Sequence, residues 1–108
     1  MNTQQEVLYA DGSRSEFHSH GGATHDGYLA IERLRLITAR SALRIYIESE
    51  GKMQLTRNGA QLSIVNVIEP LTGKTYKRSM KGKQEALADC EYIIWAIENG
   101  AVVYEEEQ

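Results

Sequence analysis

Asn58-Gly59-Ala60-Gln61-Leu62-Ser63-Ile64-Val65-Asn66-Val67-Ile68-Glu69-Pro70-Leu71 is the stretch on which the fold turns. Asn58-Gly59 is a turn or cap signal. Leu62, Ile64, Val65, Val67 and Ile68 make a short, largely β-branched run of the kind that fills a buried strand. The same residues suit a short helix stopped before Pro70, which has no N–H to continue it and biases Glu69 away from helical geometry. Read as a strand, the segment pairs with Lys74 to Ser79 in a hairpin over 62–79, and the domain is α+β. Read as a helix, the domain is mainly α.

The C-terminal flank is unambiguous. Over Gln84 to Asn99, Leu87, Cys90, Ile94 and Ile97 recur at spacings of three and four, with Ala86, Ile93 and Ala96 in support. This predicts an amphipathic helix that ends at Gly100, where a C-cap glycine belongs. Ala101 to Tyr104 are expected to pack back on the core, and Glu105 to Glu107 to form a solvated acidic tail.

On the other side, Tyr28 to about Glu50 is helical in composition, with Asp26 as candidate N-cap and Gly51 as stop. Its apolar residues lie all round the wheel (Leu29, Ile31, Leu34, Leu36, Ile37, Leu43, Ile45, Tyr46, Ile47), as expected for a central helix or one covered by a partner. A break near Thr38-Ala39-Arg40-Ser41, with Ser41 capping a second piece, is the alternative. Residues 1–27 read as a polar leader. Asp11-Gly12 suits a type I′ hairpin turn, but the flanking residues alternate poorly. His18, His20 and His25 sit in glycine-rich surroundings without the spacing of a metal site, so no metal or cofactor is expected.

Length and composition bound the rest. At 108 residues, 42% apolar and 25% charged, the chain suits one modest core, taken as one compact domain over 28–108. The single cysteine, Cys90, excludes a disulfide framework and favours a reducing cytoplasm. The first six residues lack the basic start and apolar run of a signal peptide. No apolar run is long enough to span a membrane.

The net charge of −3 conceals a strong segregation. Residues 1–27 carry −3, 28–73 carry +2, 74–83 carry +5, and 84–108 carry −7. The +5 stretch, Lys74-Thr75-Tyr76-Lys77-Arg78-Ser79-Met80-Lys81-Gly82-Lys83, contains no acid and leads into the C-terminal helix. Helix N-termini attract anions through free N–H groups and the helix dipole. Lys74, Lys77, Arg78, Lys81 and Lys83, extended by Arg57, are therefore the candidate contacts to nucleic acid or an acidic protein, with Tyr76 as a stacking platform. The competing reading is a solvated loop whose charge offsets the acidic helix after it. A nucleotide-binding P-loop is excluded, since Gly82-Lys83 is followed by Gln84 and the position five before Gly82 is Lys77. Arg33, Arg40 and Arg44 share one side of a straight helix, either extending the basic face or snorkelling toward acids such as Glu48. Cys90, on an apolar helix face far in sequence from every histidine, reads as a small core residue. Trp95 and Tyr46 are candidate interface residues. No constellation of nucleophile, base and orienting group is present, so an enzyme is not expected.

Arg40-Ser41-Ala42-Leu43-Arg44, Leu71-Thr72-Gly73-Lys74-Thr75-Tyr76-Lys77-Arg78 and the Ala86-Leu87 helix together resemble small uncharacterised proteins of bacteriophages and prophages, over roughly 28–98. The resemblance implies a small helical accessory factor, with 60–69 helical and the Thr-Gly-Lys-x-Tyr turn joining two helices. It carries over no catalytic residue. It tips 60–69 toward helix, and the expectation is a mainly α domain with a flexible N-terminal leader. Two functions follow. One is a non-enzymatic accessory protein of the host cytoplasm, binding nucleic acid or another anionic surface through the basic segment. The other is a protein-interaction module, homo-oligomeric or modulating a host or phage protein, that uses apolar helix surface.

Overall fold

The computed structural model describes residues 3–19, 21–54 and 57–105. They form strands β1 (Thr3–Leu8), β2 (Arg14–His18) and β3 (Ala23–Asp26), helix α1 (Tyr28–Glu48), a helical segment made of α2 (Gly59–Ser63), a π-helical turn (Ile64–Ile68) and α3 (Glu69–Thr72), then α4 (Met80–Asn99) and β4 (Val102–Glu105). The fold is α+β, so the mainly α expectation is corrected. The strands come from 3–26 and 102–105, however, and not from a hairpin at 62–79.

The described residues make two compact units, one of 3–34 with 95–105 and one of 35–94. In the first, four antiparallel strands lie in the order β3-β2-β1-β4. Val7 is paired on one side with Ser15 and on the other with Val103. The Asp-Gly signal marks a real turn. Tyr9 N–H donates to Ser13 O (2.8 Å), Gly12 N–H donates to Tyr9 O, and Gly12 sits at φ +88°. Neither Ala10 nor Asp11 has a positive φ, so the turn is a three-residue loop with a left-handed glycine and not type I′.

The same turn caps α1. Asp11 Oδ2 accepts from Leu29 N–H (3.0 Å) and Ser13 Oγ accepts from Ala30 N–H (3.1 Å). The cap thus comes from the hairpin, 17 and 18 residues away in sequence, and not from Asp26. Gly27, at φ +98°, is required here, because a Cβ on it would lie 2.2 Å from Ser13 Cβ. α1 runs unbroken through Ser41, whose Oγ donates to Ile37 O within the helix. It closes at Gly51, φ +83°, whose N–H donates to Tyr46 O (2.7 Å).

The second unit contains the deciding stretch, and it is helical. Ile64 and Ile68, four apart, are fully buried, whereas Val65 is exposed. Each buried isoleucine contributes about 2–3 kcal/mol, while a β-branched residue costs a helix only about 0.5 kcal/mol, so packing overrides propensity. Pro70 explains the π turn. It has no N–H for the carbonyl of Asn66, and the ladder widens so that Glu69 N–H donates to Ile64 O. Arg35 Nη2 donates to Asn66 O at 3.3 Å instead. Leu36, Ala39, Leu43, Ala60, Ala86, Cys90 and Ile94 are also buried in this unit. In α4 the buried positions Gly82, Ala86, Cys90 and Ile94 fall at every fourth residue. No helix among the described residues is long and apolar enough to cross a membrane.

Candidate anion-binding segment

The five cations of 74–83 divide into three kinds. Lys74 is committed: its Nζ lies 2.9 Å from Asp89 Oδ2. Tyr76, 5% exposed, donates its hydroxyl to the same carboxylate (2.5 Å), and its N–H donates to Glu69 Oε2 (3.1 Å). The clasp fixes the loop after α3 to α4. Burial, reinforced by the Asp89 hydrogen bond, pushes the Tyr76 hydroxyl up to about 12. The hydrogen bond from Tyr76 and the charge of Lys74 hold Asp89 below the usual carboxylate range. A ring this buried presents no face to a stacking base.

Lys83 is buried, at 5% exposed. Its ammonium lies 4.9 Å from the centroid of the Tyr46 ring and donates to Arg78 O at a long 3.5 Å. No carboxylate among the described residues pairs with it, and burial, with help from the nearby Arg78 charge, lowers its pKa.

Lys77, Arg78 and Lys81 are exposed, and no acid among the described residues pairs with their side chains. Lys81 and Lys83 lie in the first turn of α4, which begins four residues before the pattern of apolar spacings indicates. The loop closes tightly onto that turn. A Cβ on Gly82 would fall 1.9 Å from Lys77 O, so only glycine lets the loop backbone approach. Ser79 caps the turn, its Oγ accepting from Gly82 N–H (3.1 Å) and its carbonyl from Lys83 N–H.

Two cavities adjoin this segment. One, of about 360 Å³, is lined by Thr75, Lys77, Ser79, Lys81, Gly82 and Glu85. The other, of about 270 Å³, is lined by Tyr46, Gln54, Asn58, Gln61, Leu62, Arg78 and Lys83. Tyr46, a candidate interface residue by sequence, therefore faces the buried ammonium. Arg57 is exposed in the turn before α2 and lines neither cavity. The burial of Lys83 and the role of Gly82 had no signature in the sequence beyond the Gly82-Lys83 pair itself.

Two members of the arginine stripe, Arg33 and Arg44, pair with acids of α4. Arg33 Nη2 contacts Glu98 Oε2 at 2.5 Å, and Arg44 Nη2 contacts Glu91 Oε2 at 2.6 Å, in place of Glu48. Trp95 is 57% exposed on α4. Cys90 is fully buried, its thiol donating to Leu36 O (3.3 Å), and burial pushes it up to about 11. Its thiolate is therefore scarce at neutral pH.

In the sheet, Ser15 Oγ shares hydrogen bonds with the Tyr9 hydroxyl (3.1 Å) and His25 Nδ1 (2.7 Å). Spacing alone did not predict this Ser–His contact. Ser15 is fully buried. His20 lies outside the described residues. Among those described, no three His, Cys, Asp or Glu groups are placed to hold a metal ion.

No protein-family model, curated protein or solved structure matches the chain.

Proposed function

We propose that this chain is a small, non-enzymatic accessory protein of phage type, acting in the host cytoplasm, that binds the backbone of nucleic acid through the loop and first turn of α4. One observation carries the reading. Lys77, Arg78 and Lys81 are crowded into five residues, exposed, and unpaired with acids among the described residues, in a chain whose net charge is −3. Uncompensated like charges beside a positive helix end are locally unfavourable, and a phosphate relieves them. Thr75 and Ser79 supply hydroxyls in the cavity that Lys77 and Lys81 line. Tyr76 has no part in the contact, since it is buried.

The test is fluorescence anisotropy of a single-stranded oligonucleotide titrated at several salt concentrations. Three phosphate contacts give a log–log salt slope of about −2. Lys77→Gln with Arg78→Gln and Lys81→Gln is expected to remove the binding and leave the circular dichroism spectrum unchanged. Binding that ignores salt, or that survives the triple substitution, defeats the proposal.

A second reading, self-association, rests on a different observation. Val102, Val103 and Tyr104 are all about half exposed on β4, an edge strand of the sheet. An edge strand offers unpaired main-chain groups to a second β4. Light scattering decides it: a monomer at all concentrations removes this reading.

A further inference from the structure

The 270 Å³ cavity sets beside Arg78 two groups that the backbone-binding reading does not use, Lys83 and Gln61. Lys83 is nine-tenths buried, yet its ammonium has only a ring face and one carbonyl at 3.5 Å. Burying an ammonium costs several kcal/mol unless a counter-charge is supplied. Here the charge that acts on it is a second cation, Arg78, which lines the same cavity. Gln61 lines it too, and its buried Oε1 accepts no hydrogen bond from any described residue. Buried polar atoms in native proteins almost always have partners. Two cations and an unanswered acceptor lining one cavity suit a ligand that carries a strong anion with a hydrogen-bond donor beside it.

We propose that this cavity is a phosphate-monoester site, in which Lys83 and Arg78 hold a terminal phosphoryl group and Gln61 Oε1 accepts a hydrogen bond from the group attached to it. A monoester fits better than a carboxylate because it carries nearly two negative charges at neutral pH and three acceptor oxygens, matching two cations. It fits better than a phosphate inside a strand, because a diester carries one charge and has chain on both sides. This deepens the nucleic-acid reading and rests on it in one respect, by making a phosphorylated strand end the ligand. A free nucleoside monophosphate offers the same chemistry.

Calorimetry on the full chain separates these cases. The probes are an oligonucleotide of about ten residues with a 5′-phosphate, the same strand with a 5′-hydroxyl, and adenosine monophosphate. The 5′-phosphate strand is expected to bind about tenfold more tightly than the 5′-hydroxyl strand. Lys83→Met is expected to erase that preference and leave the 5′-hydroxyl strand's affinity unchanged; Gln61→Leu is expected to weaken it. Arg78→Lys, which keeps the charge but loses the guanidinium fork, is a second variant should the first misfold, and is expected to reduce the preference. If adenosine monophosphate binds in a Lys83-dependent way while neither strand binds, the site stands and the nucleic-acid reading falls. If both strands bind equally and adenosine monophosphate does not bind, the site falls and the nucleic-acid reading stands. A 5′-phosphate preference that survives both Lys83→Met and Arg78→Lys overturns the assignment.

Discussion

Lys83 shows how far charge counting is from charge environment. In the sequence it is one of five equivalent cations. In the fold one of the five is neutralised by Asp89, three face solvent, and Lys83 is desolvated against Tyr46. Removing a buried, uncompensated charge is favourable when the replacement has similar shape. Lys83→Met is therefore expected to raise the melting temperature of the ligand-free protein by several degrees, as differential scanning calorimetry would read it; an unchanged or lower value contradicts the cost assigned to this burial. Cys90 and Tyr76 supply a second measurement at this scale. Both groups titrate higher in the folded chain, at about 11 against 9.0 and about 12 against 10.0. Their neutral forms are favoured by folding, so the benefit is complete below about pH 9. It fades as pH rises, through about 11 for Cys90 and about 12 for Tyr76. Each difference corresponds to at most about 2–3 kcal/mol. Cys90→Ala with Tyr76→Phe is expected to flatten the alkaline limb of the stability profile. A limb of unchanged steepness assigns the loss to other groups.

Elements differed in how legible they were. α4 was readable because its apolar residues repeat at helical spacing, and α1 because it is rich in good helix formers and is closed by Gly51. The helical state of 60–69 came from resemblance, because a run such as Ile64-Val65-Asn66-Val67-Ile68 satisfies a strand as well as a helix. Which positions are buried becomes visible only when Ile64 and Ile68 meet the core. The π turn was not legible, although its cause, Pro70, was in view. The strands were hidden for another reason. Arg14–His18 buries Ser15 and not a hydrophobe, and β1 gains its second partner from residues 102–105. No local window holds that pairing. Nor does spacing indicate that Asp11 and Ser13 cap a helix starting at Tyr28. Ser13→Ala is expected to cost about 1 kcal/mol, the value of a helix cap. Gly27→Ala, which combines a left-handed φ with a Cβ 2.2 Å from Ser13, is expected to cost about 2–4 kcal/mol. Urea unfolding of both variants checks the order; equal costs would mean that the close approach relaxes freely.

At the scale of the whole molecule, the four-stranded sheet joins segments about a hundred residues apart, since Gln5 pairs with Glu105. Long-range pairing of this kind forms slowly, because loop closure must precede its reward. A chain ended after Ala101 lacks β4 and leaves β1 as an edge. It is expected to lose on the order of 2–4 kcal/mol, from four residue pairs at about 0.5–1 kcal/mol each, and to show faster amide exchange along β1. Unchanged exchange there would remove β4 from the folded core. The hairpin cap has a further consequence. First-turn amides are ordinarily the earliest to exchange with solvent, because a helix frays from its end independently of its neighbours. Leu29 and Ala30 are instead bonded to the turn between β1 and β2, so they can open only when that turn opens. The β1–β2 turn and the start of α1 thus make a single cooperative unit. Their protection factors should rise and fall together with that of the Tyr9 amide as denaturant is added.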